Sequence, residues 1–406
     1  MNRCLPVLVI FFILAATGSG SAFEEGAVSI HGFASTGYMR SDYNNFLLAS
    51  EDGSFEFNEI GINFGVAIAE NMRVGLQLYS FDLGDIGNNE VTLDWAFLDY
   101  EWKEWLGLRV GKIKTPYGLY NETQDYDMLR TCILLPQSVY YKYRRGTDVS
   151  TQGMALYGNI PLSRAGKMKY DIYFGAPSID TDGGIAKELT KGDLAFESAR
   201  MKYLIGGRLL WLAPLKGLKF GANYTYYDHG YKGILGLDIP LGPGLTIELP
   251  LNVDVTLDNP YKYIFSVEYD YGDLNLALEY SYMDSGIWFG MDYSSLGIPP
   301  LLPEYISVNT SGFYALVSYR LCRWLELGTY YSIYYQELQQ ESDELRDTQK
   351  DLALSARFDI NQSWLVKAEV HFMGGAGLLT ELDNPDGTGS YESKWTLFAI
   401  KTTFNF

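Results

Sequence analysis

Between residues 112 and 145 the chain gathers Lys112, Lys114, Arg130, Lys142, Arg144 and Arg145 around Glu122, Asp125 and Asp127. This is a local basic excess in a chain that carries 31 Lys+Arg against 50 Asp+Glu, a formal charge of -19. Side chains of both signs facing each other across a narrow aqueous gap set up a transverse field that orients polar solutes. A mainly basic cluster favours anions instead. The residues of covalent and metal chemistry are sparse by comparison. His31, His229 and His371 are isolated in sequence, and there is no G-x-S-x-G, Walker sequence, G-x-G-x-x-G after a strand, or H-E-x-x-H. No EF-hand or repeat-type calcium motif is present. The expectation is no catalytic set, no metal site, no cofactor and no enzyme. A hydrolase would need a Ser/His or Asp/His cluster that the sequence does not assemble.

These charges must be held by something, and the whole chain narrows the choice. A hydrophobic fraction of 47% excludes wholesale disorder. Net acidity argues against a nucleic-acid partner. There are no repeated apolar runs of roughly 20 residues, so a bundle of membrane helices is excluded. The beginning of the chain reads as an export signal: Arg3, an apolar run from Leu5 to Ala16, then small residues ending Gly20-Ser21-Ala22. Residues 1–22 are expected to be a cleaved signal peptide and residues 23–406 a single domain. Cys132 and Cys322 then remain, too few for a disulfide scaffold, and no disulfide between them is expected.

The rest alternates with period two, the signature of strands. Phe220, Ala222, Tyr224 and Tyr226 oppose Lys219, Asn223, Thr225 and Tyr227. Trp364, Val366, Ala368, Val370 and Phe372 oppose Lys367, Glu369 and His371. Three features favour a membrane barrel over a soluble sandwich. Many segments run near ten residues, enough to cross a bilayer at a tilt. Trp102, Trp105, Trp211, Trp324, Trp364 and Trp395 sit near segment ends, as in aromatic girdles. Connections alternate between tight turns and long polar links, the latter near 39–57, 82–90, 115–149, 177–198, 228–258, 285–307, 337–349 and 374–392. The fold class predicted is all-β: a transmembrane antiparallel β-barrel of about 16 strands, with 14 or 18 the neighbouring solutions. In the last strand Phe398, Ile400, Phe404 and Phe406 share one face. A terminal aromatic strand resembles the signal by which Gram-negative outer-membrane proteins are recognised by their assembly machinery, which assigns that role to Phe406.

One passage carries a family resemblance. Leu108-Arg-Val-Gly-Lys-Ile-Lys-Thr-Pro-Tyr-Gly-Leu119, leading into Asn121-Glu-Thr, resembles the Gly-Lys-x-x-x-Pro-x-Gly passage of Gram-negative outer-membrane porins. It is most similar to the branch holding phosphate-selective and other anion-selective porins. The resemblance implies a water-filled barrel of 16 strands, commonly a homotrimer, embedded in outer-membrane lipid and lipopolysaccharide. It also implies that residues 115–149 form a loop folded inward to constrict the channel.

By parity the lumen wall holds Arg73, Arg109, Arg200 and Arg208 among other bases, and Asp94, Asp171, Glu268, Glu279, Glu326, Asp359 and Glu369 among acids. The wall is mixed. With the basic excess of the inward loop, the expectation leans to passive diffusion of anionic or mixed small solutes. The alternative is a barrel that sheathes a partner, such as a multihaem cytochrome, for electron transfer across the outer membrane. His31 and His371 both face the lumen near the barrel seam, where a pH-sensitive pair is conceivable and two unrelated histidines are the plainer expectation.

Overall fold

The computed structural model describes residues 26–177, 183–184, 186, 194–242, 245–292, 304–338, 343–381, 383–384 and 391–406. The expected signal peptide, residues 1–22, lies outside the described residues. Sixteen strands close into one antiparallel barrel in which every strand pairs with its sequence neighbours and β1 (Val28–Ser41) pairs with β16 (Lys394–Asn405). The others, in chain order, are β2 (Phe57–Ala69), β3 (Met72–Leu83), β4 (Thr92–Lys103), β5 (Leu106–Lys114), β6 (Ser150–Pro161), β7 (Lys167–Pro177), β8 (Leu194–Leu212), β9 (Leu218–Gly242) and β10 (Leu245–Tyr271). They continue with β11 (Leu274–Asp292), β12 (Glu304–Cys322), β13 (Leu325–Leu338), β14 (Thr348–Asp359) and β15 (Trp364–Gly375). Closure satisfies the edge that an open sheet would leave bare. At the seam Gly32 N and Phe406 N each donate to the other residue's carbonyl at 3.0 Å.

Alternation sorts the side chains as the sequence implies. The outer surface carries a belt of exposed apolar residues that includes Leu78, Leu98, Val110, Leu156, Ile172, Ile205, Phe265, Leu278, Phe313, Leu327, Leu354 and Phe398. A continuous apolar belt on a closed barrel belongs against lipid. The inner positions of the same strands are polar: Gln77, Asp99, Asn223, Ser266, Glu279, Ser318, Ser355, Arg357 and Lys401 are all buried inside. Trp102, Trp105, Trp324 and Trp364 are exposed beside short turns, as girdle residues should be. Trp395 is not. It is 3% exposed and packs its ring on Phe46, with centroids 5.6 Å apart, at the long-loop mouth.

The link expected at 228–258 is mostly strand, and the links at 177–198 and 285–307 are shortened by the same extension. β9 and β10 run 25 and 27 residues, whereas about 9–11 residues cross a bilayer. The extra length is paired backbone standing outside the membrane. Its pattern did not continue the strands below because the ladder slips between Asp258 and Tyr261, with Asn259 at φ 48. A bulge of this kind exchanges inward and outward positions. Leu251, Val253 and Val255 become the buried face above it, where Lys262, Ile264 and Ser266 are buried below.

Candidate functional site: the inward loop and the lumen wall

β5 ends at Lys114, and residues 115–149 do not return along the outside. They cross the lumen. Pro116 begins the departure, and the Asn121 amide holds the bend by donating to Thr115 O at 2.7 Å. Short 3-10 turns at Asn121–Thr123, Asp127–Leu129 and Lys142–Arg144 fold the segment compactly. Its buried apolar residues form two clusters. Cys132, Leu135, Val139 and Tyr140 pack with Tyr117 against Ile264, Tyr314 and Tyr330 of the wall. Ile133, Leu134 and Tyr143 join Phe46, Leu47, Leu48, Leu378 and Trp395, so residues from two outer links reach down onto the loop.

Polar anchors tie the loop to nearly every side of the wall. Asp125 meets Lys114 at 2.5 Å and Arg145 at 3.0 Å, and Arg145 also meets Asp94 at 3.0 Å. Asp127 meets Arg130 at 3.0 Å, Lys401 at 2.8 Å and Lys367 at 3.6 Å. Glu59 bridges Lys142 at 3.1 Å and Lys401 at 2.6 Å. Glu369 accepts from the backbone N–H of Ile133 and of Leu134 at 2.8 and 2.9 Å. Glu279 accepts from Leu119 N at 2.9 Å, and from the hydroxyls of Tyr140 and Tyr314. Burial by itself would raise the carboxyls of Asp125 and Asp127. The cations outweigh it: Arg145 and Lys114 hold the first, and Lys401, Lys367 and Arg130 the second, well below the usual carboxylate range. Burial pulls the Lys142 ammonium below its ordinary value against the pull of Glu59. It also pushes the Cys132 thiol up to about 12, so this free cysteine is inert.

The basic residues singled out in the sequence thus fall into distinct places. Lys114, Arg130, Lys142 and Arg145 are buried or nearly so, each in an ion pair. Arg144 donates to the Met283 sulfur at 2.7 Å. Lys112 donates to Leu93 O at 2.6 Å and lines a cavity of about 210 Å³ with Asp94, Lys142 and Arg145. Of the acids, Asp125 and Asp127 are anchors, while Glu122 is partly exposed and meets Arg208 at 2.7 Å. Arg208 also meets Asp171 at 2.9 Å. Arg73 and Arg109 share Asp99, at 2.7 and 3.4 Å. The side chain of Arg200, on β8, lies outside the described residues. Phe406 is 66% exposed on the outer face.

Some anchors were not singled out beforehand. Glu59 and Lys401 carry the network across the barrel seam. Parity would have found both as inward residues, because Ile60 and Ile62 in β2, and Phe398 and Ile400 in β16, claim the outer face. Which inward charge meets which is not written in one strand. His371 does not pair with His31. Its Nδ1 faces Asp351 at 3.0 Å and its Nε2 faces Glu369 at 2.9 Å, while His31 is exposed near the rim.

A carboxylate of an outer link also meets the inward loop. Tyr143 donates to the Asp383 carboxylate at 2.8 Å, and Thr380 donates to it at 2.9 Å. Burial raises the Asp383 carboxyl to about 6, with Asp85 pushing the same way. A folded value above the ordinary one means stability that is complete below the ordinary carboxyl range and is lost as pH rises through about 6. The link at 376–384 is therefore expected to exchange amide hydrogens faster at pH 7.5 than at pH 5, after correction for intrinsic rates. Asp383→Asn should remove the difference. Equal protection at both pH values in the unchanged protein would contradict this.

No family model matches the chain, and no curated protein matches it. Solved structures do. OmpT of Vibrio cholerae superposes with a TM-score of 0.55 at 11% identity, covering 95% of this chain and 99% of that one. An anion-selective porin from Comamonas acidovorans gives 0.53 at 13%, covering 94% and 100%. OmpF of Salmonella typhi, in complex with daunomycin, gives 0.56 at 12%, covering 94% and 98%. At these identities the likeness is one of fold. The chain has the closed 16-stranded barrel of outer-membrane porins.

Proposed function

We propose that this protein is an outer-membrane porin: a channel for passive diffusion of small hydrophilic solutes, with mixed selectivity and a slight preference for anions. The observation that carries the reading is the loop at 115–149. It lies across a polar lumen inside a barrel whose outer belt is apolar. The arrangement narrows an aqueous path. It also speaks against the sheath, because the loop takes the space that a multihaem cytochrome would need.

The anchors temper the selectivity. Four of the six loop cations are neutralised by carboxylates, and buried pairs contribute little field to a passing ion. Lys112 meets a carbonyl rather than an acid. Planar-bilayer recording of the purified protein under a salt gradient is expected to give a small reversal potential on the anion side. Lys112→Gln should move it toward the cation side. A cation-side value in the unchanged protein would overturn the preference. No conductance from a folded barrel would overturn the channel and restore the sheath.

The same reading includes export through residues 1–22, residence in lipid and lipopolysaccharide of a Gram-negative outer membrane, and Phe406 as an assembly signal. A homotrimer completes it; OmpT of Vibrio cholerae has been solved in a form described as a trimer.

A further inference from the structure

Two outer links lie over the inward loop on the long-loop side, and they are stitched to each other. Asn44, between β1 and β2, donates from Nδ2 to Glu392 O at 2.9 Å and accepts Glu392 N on Oδ1 at 3.0 Å. Asn45 donates from its backbone N to Asn384 Oδ1 and from Nδ2 to Asp383 O, both at 2.8 Å, and its carbonyl accepts Asn384 Nδ2 at 3.0 Å. Under this seam Phe46, Leu47, Leu48 and Leu378 rest on Ile133, Leu134 and Tyr143 of the loop. A third link reaches the same place, since a Cβ at Gly184 would run into the Tyr143 carbonyl. The cover can part from the loop without opening the barrel. The β1–β16 ladder ends at Ser41 and Leu397, so what would be lost is side-chain bonds and apolar contact above it.

The cover is fastened to the loop through a carboxyl group. Asp383 is 8% exposed and accepts the hydroxyls of Tyr143 and Thr380. The other groups that face it are the backbone N–H of Leu47, from the first link, and the Asp85 carboxylate, from the link between β3 and β4. No Lys, Arg or His pairs with it among the described residues. The loop cations beside Tyr143 are engaged elsewhere, Lys142 by Glu59 and Arg145 by Asp94 and Asp125. A buried carboxyl with a second acid near it and no cation is stable when neutral and costly when charged. We propose that this cover is a pH-operated gate at the long-loop mouth, closed while Asp383 is neutral and opened when it ionises. Burial, with Asp85, raises that carboxyl to about 6 in the closed form. In an open form it meets water and titrates near its ordinary value of about 4. A gap of about two units favours closure up to about a hundredfold in acid, and the advantage is lost as pH rises through about 6. The proposal deepens the channel reading by giving its regulation, and it rests on that reading for its electrical readout.

The test records the full-length protein in a planar bilayer with the two chambers buffered separately. Both start at pH 7.5, and each is taken to pH 5 in turn. Acidifying the long-loop side is expected to lower the mean current at least about fivefold, and acidifying the short-turn side to leave it unchanged. Asp383→Asn, neutral at every pH and still an acceptor for Tyr143, should hold the low current at both values. Asp85→Asn, which leaves the fastening itself intact, should move the midpoint to lower pH. Equal currents at pH 5 and 7.5 in the unchanged protein, or a response that survives Asp383→Asn, overturns the gate. Amide exchange at 42–48 and 376–381 in detergent separates the two readings. Exchange that quickens with pH in a barrel without conductance removes the channel and keeps the titrating cover. Conductance that ignores pH removes the gate and keeps the channel.

Discussion

Asp127→Asn is expected to raise single-channel conductance at least about twofold while leaving the barrel folded. Asp127 is completely buried and holds Arg130, Lys401 and Lys367, with Thr403 donating a fourth contact at 2.9 Å. Its charge offsets the mutual repulsion of three cations. An amide in its place leaves them crowded in a water-poor site, and breaking a buried pair by removing one partner costs about 3–5 kcal/mol. Two responses compete. The wall would have to give up ladder hydrogen bonds along β15 and β16, where eleven register pairs run from Trp364 to Gly374. The loop would have to give up contacts that the same substitution has already weakened. The loop is the cheaper of the two, so it swings from the wall and the path widens. Trypsin should then cut at Arg130 in the folded variant. Unchanged conductance together with an intact loop under trypsin would show that Asp127 is not an anchor.

Glu369→Ala is expected to act on the same loop from the other side. Glu369 accepts two loop N–H groups, from Ile133 and Leu134, and one hydroxyl, from Ser355 at 2.5 Å. It also faces His371. Each buried polar group left without a partner costs about 1–3 kcal/mol, so four orphaned groups exceed what the loop can absorb in place. Urea should release the loop at a lower concentration than it unfolds the barrel, seen as early amide exchange at 130–135. Glu369→Gln should recover part of the loss, because one amide oxygen accepts one N–H but not both. The double variant with Asp127→Asn should fall short of the sum, since residues in one network do not add. Full additivity would mean that the two anchors hold separate pieces of the loop.

Most of the barrel was legible in one dimension. A strand in a two-sided environment must alternate, so Phe398, Ile400 and Phe404 declare the lipid face and Lys401 and Thr403 the lumen without help from any neighbour. Turn residues between such runs count the strands, and a closed barrel needs an even number for both ends to meet. The inward loop was legible only through the resemblance of the Leu108–Leu119 passage, with its Pro116 and Gly118, to that of outer-membrane porins. The extended β9–β10 hairpin was hidden for a physical reason. Above the bulge at Asp258–Tyr261 parity reverses and no lipid faces the sheet, so the belt pattern that reports a strand below is absent.

The role of the loop charges was decided only by folding. Nothing in the order Lys112 to Arg145 tells a cation that lines a channel from one that ends in a buried pair. Lys114 and Lys142 have the same chemistry, and what neutralises them is Asp125 within the loop and Glu59 on a strand 83 residues away in sequence. A single strand fixes the face on which a side chain stands, because that is set by local backbone geometry. Its partner is set by where barrel closure and the inward loop bring distant strands together, and a charge buried there needs an opposite charge to meet it.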